Sequence, residues 1–186
     1  MKRTIIASLF LIIACKEEKK EAVPQTGPQV KENIASENKP KDSEEAKKWL
    51  EESIEDYFKA DLGTEEKNMQ KMTTKAYYDY KNDAMNVDLD VDGSLTKKEF
   101  YEKWRKKFDV QKAGIGTGFL ITGQDWEEIK VSSCKILASG EHDFLFDVVL
   151  SDRKLKAEYP ITVNVTKENG SFLIADVWQK EHKLNE

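Results

Sequence analysis

The sequence predicts an α+β fold, with N-terminal helices followed by an antiparallel β-sheet. Apolar residues recur at helical spacing from Ala46 to Phe108, and at alternating, strand-like spacing from Ile129 onward. Asn169-Gly170, between two alternating runs, is a tight hairpin turn of the kind that joins antiparallel neighbours. Helices grouped before strands, rather than interleaved with them, argue against a parallel sheet.

The chain starts with a segment that does not belong to that fold. Lys2 and Arg3 precede an uncharged, mostly apolar run from Thr4 to Ala14. The run is shorter than the roughly 20 residues needed to span a bilayer, and it has the proportions of a secretory signal. It ends in Ile12-Ile13-Ala14-Cys15, which resembles the bacterial lipobox: apolar residues, a small residue, then a cysteine. The resemblance implies cleavage before Cys15, so that 1–14 is a signal peptide, and acylation of Cys15 by palmitate and related chains. More than one chain gives a stable membrane anchor, at about 0.8 kcal/mol per buried methylene. Lys16-Glu17-Glu18 is similar to the Lys-acid-acid signal that follows the cysteine in surface-exported lipoproteins of the Bacteroidetes. That similarity implies an outer-membrane anchor with the domain displayed on the surface; otherwise the domain faces the periplasm.

Residues 15–42 read as a lipidated, disordered tether. Pro24, Pro28 and Pro40 fall there, six lysines match six acids over 16–42, and large apolar residues are almost absent. Such a stretch cannot bury enough surface to fold. As a coil its reach is roughly 30 Å.

The domain is expected over 43–186. Asp42 with Glu45 has capping-box spacing, and Ala46, Trp49, Leu50, Ile54, Tyr57 and Phe58 form one helical stripe. Gly63 ends that helix. Thr64 can cap a second, with Glu65 and Glu66 in its first turn and Met69 and Met72 on its buried side. A third runs from about Thr74 to Met85. Thr96 with Glu99 makes another capping box, flanked by the staple Leu95 and Phe100, so 96–108 is expected to be helical. After Gly114, Gly116 and Gly118, the run Phe119-Leu120-Ile121-Thr122 is expected to begin a strand, followed by strands over 127–137, 143–151, 156–167 and 171–179.

The order of helices and long final strands resembles the nuclear transport factor two-like (cystatin-like) superfamily. The segments Gly116–Trp126 and Phe172–Val177 look like those of an uncharacterised family of Bacteroidetes lipoproteins with that fold. The resemblance implies helices packed on a strongly curved, cone-like antiparallel β-sheet, with a mouth that can take a small molecule or a protein segment.

Charge and motifs narrow the function classes. The net charge is −5, and loss of Lys2 and Arg3 makes the mature chain more acidic still. An acidic chain repels phosphates, so nucleic acid is not an expected partner. The sharpest motif is Asp88-Leu89-Asp90-Val91-Asp92-Gly93-Ser94, closed by Glu99. It matches the EF-hand calcium loop: acids at alternate positions, a glycine for the sharp turn, a carbonyl at Ser94, and Glu99 to close the site. Leu89 and Val91 stand where such loops are polar, only one loop is present, and Glu99 is equally explained as a cap. Calcium through Asp88, Asp90, Asp92, Ser94 and Glu99 is therefore one of two readings of that loop.

Catalytic signals are weaker. Asp125, Asp147 and Asp176 are candidate pocket acids, but they match no catalytic set. His142 and His182 read as surface residues. Trp49, Trp104, Trp126 and Trp178 read as core. Gly114-x-Gly116-x-Gly118 precedes no helix, so it is not a nucleotide loop. Cys134, left alone once Cys15 is acylated, reads as a buried strand residue. The expected function is a membrane-anchored, non-catalytic binding domain for a small molecule or protein. The alternatives are a calcium-binding module and a toxin-immunity-type inhibitor, with an enzyme last.

Overall fold

A computed structural model describes residues 39–61, 63–123, 125–180 and 183–184. The expected signal peptide, Cys15, the tether as far as residue 38, and His182 lie outside the described residues. Four helices are followed by an antiparallel sheet: α1 (Lys39–Lys59), α2 (Glu65–Met72), α3 (Lys75–Met85), α4 (Lys97–Trp104), then β1 (Ile129–Ser139), β2 (Asp143–Asp152), β3 (Ala157–Glu168), β4 (Ser171–Gln179) and a short β5 (Lys183–Leu184). The chain is therefore α+β, as expected.

The sheet is a meander in the order β1-β2-β3-β4, and it does not close on itself. Asn169 (φ 51°) and Gly170 (φ 82°) turn β3 into β4, the paired left-handed conformation that such a dipeptide favours. β5 pairs with β3 beyond the end of β4, so β4 and β5 form one interrupted edge. That break explains Pro160 inside a central strand. Its carbonyl accepts from Lys180 N (3.0 Å), while the missing amide faces the point where regular pairing stops.

One face of the sheet makes the core. Phe144, Phe146, Val148 and Leu150 of β2 alternate inward, and Ile161, Val163 and Val165 of β3 lie opposite. On α1, Ala46, Leu50 and Ile54 recur at four-residue steps and are fully buried. α1 packs on β1 and β2, and its Trp49 meets Phe172 of β4 at 6.0 Å. Between α3 and α4, Tyr80 stacks on Phe108 at 4.2 Å and 10°. Trp104 Nε1 donates to Asp83 (2.7 Å).

Asp152 ties the strand ends together. It is buried, and its two oxygens accept from the amides of Glu127 (2.6 Å), Glu128 (3.2 Å), Lys154 (2.9 Å) and Leu155 (3.0 Å). Burial alone would raise its carboxyl, but these donors outweigh burial and hold it below the usual carboxylate range.

Both sheet edges are irregular or covered. β1 carries register shifts between Val131 and Ser133 and between Ile136 and Ala138, and Glu55 of α1 accepts from Val131 N (3.4 Å). At the other edge Thr73 bridges to Ile174 of β4, and Thr74 N donates to the Ile174 carbonyl (2.9 Å).

Several local expectations need correction. α1 begins at Lys39, before the Asp42 box. Pro40 suits a first turn whose amides have no helical partner, while Asp42 pairs with Lys167 (3.0 Å) and Glu45 with Lys41 (3.8 Å). Thr64 precedes α2 but makes no side-chain cap; its hydroxyl donates to the Asp61 carbonyl (2.7 Å). The capping box at Thr96 and Glu99 is present, but α4 stops at Trp104 and gives way to turns before Phe108. The run Phe119–Thr122 is not a strand. Phe119, Leu120 and Ile121 are buried in an irregular segment, so an apolar run there reports burial rather than sheet pairing.

Candidate functional site

The apolar stripe of α1 continues past Ile54 to Tyr57 and Phe58, which line a space shared with α2, α3, the irregular stretch 118–123 and Trp126. Together these elements enclose a cavity of about 360 Å³. α1 contributes Tyr57 and Phe58; α2 contributes Glu65, Glu66 and Met69; α3 contributes Tyr78, Asn82 and Met85. Phe119, Leu120, Ile121 and Trp126 complete the wall. The aromatic rings meet edge-on: Tyr57 with Phe58 at 5.1 Å and 87°, Tyr57 with Phe119 at 5.4 Å and 77°, Phe58 with Trp126 at 5.5 Å and 77°. Gly123 is required by close approach, because a Cβ there would lie 2.9 Å from the Tyr159 hydroxyl.

The polar groups of this cavity are acidic or neutral. Glu65 accepts from Gly63 N (2.7 Å), and Glu66 accepts from the Tyr78 hydroxyl (2.7 Å). Among the described residues neither carboxylate has an ion-pair partner within 4.0 Å. Burial, reinforced by the charge of Glu65, pushes the Tyr57 hydroxyl up to about 12. The hydrogen bond to Glu66, with burial, raises Tyr78 above its ordinary value.

A second polar cluster holds the start of the 113–126 segment. Lys81 is 2% exposed. Its ammonium donates to the carbonyls of Ala113 (3.0 Å) and Gly114 (3.1 Å) and to Thr117 Oγ1 (3.3 Å). Burial lowers its pKa to about 7, opposed by the charge of Asp176. Gln179 of β4 binds the same segment: its amide donates to the Gly118 carbonyl (2.8 Å), and its Oε1 accepts from Thr117 (2.6 Å). Nearby, the Tyr77 hydroxyl is buried without a hydrogen-bond partner among the described residues.

The residues singled out in the sequence fall elsewhere. Asp125 is exposed, and neither it nor Asp147 nor Asp176 lines the cavity. Asp147 pairs with Lys180. Asp176 is half-buried, accepts from Trp178 Nε1 (2.8 Å) and Val177 N (2.9 Å), and is raised above the usual carboxylate range by burial. His142 is exposed beside Glu141. Of the tryptophans, Trp104 is buried in the core, Trp49 packs against it, and Trp126 lines the cavity. Cys134 is buried, and burial pushes its thiol up to about 12, so it is an inert packing residue.

The 88–99 loop is exposed. Asp88 (φ 58°) accepts from Lys97 N (3.2 Å), Ser94 Oγ donates to the Asn86 carbonyl (2.5 Å), and Glu99 accepts from Thr96 N (2.9 Å) and Thr96 Oγ1 (2.6 Å). Among the described residues no three His, Cys, Asp or Glu side chains come together in a metal-holding arrangement.

No protein-family model matches the chain, and no curated protein or solved structure is significantly similar to it. Sequence reasoning did not anticipate Glu65 and Glu66 as the cavity acids. Both read as ordinary first-turn residues, favoured at any helix start. The available signal was the adjacent aromatic pair Tyr57-Phe58 at the end of the α1 stripe.

Proposed function

We propose that this chain is a lipid-anchored envelope protein whose α+β domain, of nuclear transport factor two-like descent with the helices capping one end of a curved sheet, binds a small molecule. The carrying observation is the cavity between α1, α2, α3, the stretch 118–123 and Trp126. Its volume of about 360 Å³ falls in the range of small-molecule sites, about 300–1,000 Å³. Its walls are aromatic and aliphatic with a few polar groups at the rim, the composition that holds a ligand by burial and orients it by hydrogen bonds. Supporting the anchor are the basic start, the short apolar run and Cys15 at its end.

Two measurements test this. A fragment screen read by amide NMR should perturb residues 118–123 and Met69; hits confined to other surfaces overturn the cavity reading. Cys15→Ser should abolish palmitate labelling and membrane retention; persistence of both overturns the anchor.

A second reading makes 88–99 a calcium loop. The left-handed backbone of Gly93 (φ 83°), directly after Asp92, favours it, and Asp90 and Asp92 are exposed. Glu99 would leave its cap on Thr96 to join them. Calcium should then raise the melting temperature, and Asp88→Ala with Glu99→Gln should remove the rise. No shift at millimolar calcium eliminates the reading.

A further inference from the structure

We infer that the cavity selects an organic cation, an ammonium group carried on an aromatic or branched apolar body. The inference rests on the cavity being a ligand site and adds the charge of the ligand.

Wall and rim supply two different attractions. The rings of Tyr57, Phe58, Phe119 and Trp126 carry negative π faces that attract a cation. Because the ring pairs stand nearly edge-on, each contact covers the face of one ring and leaves its partner's face uncovered by that contact. The rim adds full charges. Glu65 and Glu66 sit side by side at the start of α2, and each is bonded to a neutral donor rather than to a lysine or arginine. Among the described residues, no Lys, Arg or His lines the cavity.

The hydroxyl of Tyr57, between the rim and the aromatic wall, is raised chiefly by burial and in smaller part by the charge of Glu65. An anion entering here would meet the same opposition as a tyrosinate. A neutral guest of the same shape would gain the apolar contact alone. An ammonium gains that contact together with the π faces and an uncompensated carboxylate pair at the rim.

Three isosteric probes separate the possibilities: 2-phenylethylamine (cation), 2-phenylethanol (neutral) and phenylacetate (anion), titrated calorimetrically into the full chain at neutral pH. The amine should bind about tenfold tighter than the alcohol, the equivalent of about 1.4 kcal/mol, and phenylacetate should be weakest. Glu65→Gln with Glu66→Gln should remove the amine's advantage over the alcohol; Glu65 is half-buried and Glu66 exposed, so the fold tolerates the change. If the alcohol matches or exceeds the amine while both perturb Phe119 and Trp126, charge selection is overturned and the ligand site stands. If none of the three binds or perturbs those residues, the ligand site falls as well. An amine preference that survives the double variant also overturns the assignment, because the cation is then recognised elsewhere.

Discussion

The segments 86–96 and 113–123 both lack helix and strand, yet they are physical opposites. In the first, Leu89 and Val91 are 51% and 54% exposed; in the second, Phe119, Leu120 and Ile121 are at most 3% exposed. The difference lies in who satisfies the backbone. Residues 86–96 bond mostly to themselves: Asp88 N to the Leu95 carbonyl (2.9 Å), Ser94 N to that of Val91 (3.1 Å). The 113–118 stretch borrows its partners from elements far along the chain. Gly116 N donates to the Ala84 carbonyl (3.0 Å), while Lys81 and Gln179 serve the carbonyls from Ala113 to Gly118. An irregular segment can be buried only when distant groups meet its amides and carbonyls. One segment is therefore a self-contained surface loop, and the other is a wall of the interior.

The largest contrast should come from the apolar side chains. Phe119→Ala removes a buried ring in contact with Tyr57 and Tyr77 and should cost about 3–5 kcal/mol. Leu89→Ala should stay within about 0.5 kcal/mol. Urea unfolding measures both, and equal costs would erase the distinction. Next come the glycines. Gly93→Ala meets open space at φ 83°, so only backbone strain applies, about 1–2 kcal/mol. Gly114→Ala adds to similar strain a Cβ 2.6 Å from Gln179 Oε1 and 2.6 Å from Thr117 Oγ1. Overpacking should make it worse by about 1–3 kcal/mol, and it should loosen amide protection across 113–121 where Gly93→Ala does not.

The last contrast is a pH slope. Unfolded Lys81 keeps its proton to about 10.5 and folded Lys81 to about 7, so the unfolded state binds more protons in between and stability rises with pH over that window. The slope is at most about 1.4 kcal/mol per pH unit. It is best read below about pH 9, before tyrosines titrate in the unfolded chain. Lys81→Met should flatten it; an unchanged slope would mean another group carries it.

The same contrast explains what was legible in the sequence. Periodicity found α1, α3, α4 and the four long strands because each buries one face against a neighbour, and burial of one face is what a repeating apolar pattern encodes. Asn169-Gly170 was readable because its backbone requirement is local. The Thr96 and Glu99 box was readable for the same reason. Phe119–Thr122 was misread because a continuous apolar run says only that residues are inside, and the partners that let them go inside, Lys81 and Gln179, lie far off in the chain. The cavity was illegible for a related reason: Tyr57, Glu66, Tyr78 and Trp126 belong to different elements and share no spacing.

The irregular sheet edges bear on how copies of this domain behave when crowded. A free strand edge presents a row of amides and carbonyls that a second molecule can adopt as its own next strand. Two register shifts break the row on β1, Glu55 occupies one of its amides, and Thr73 and Thr74 occupy part of the row on β4. A neighbour sliding alongside meets a template that changes phase within a few residues. Many copies can therefore stand close together without zipping sheet to sheet, and collisions between them remain collisions.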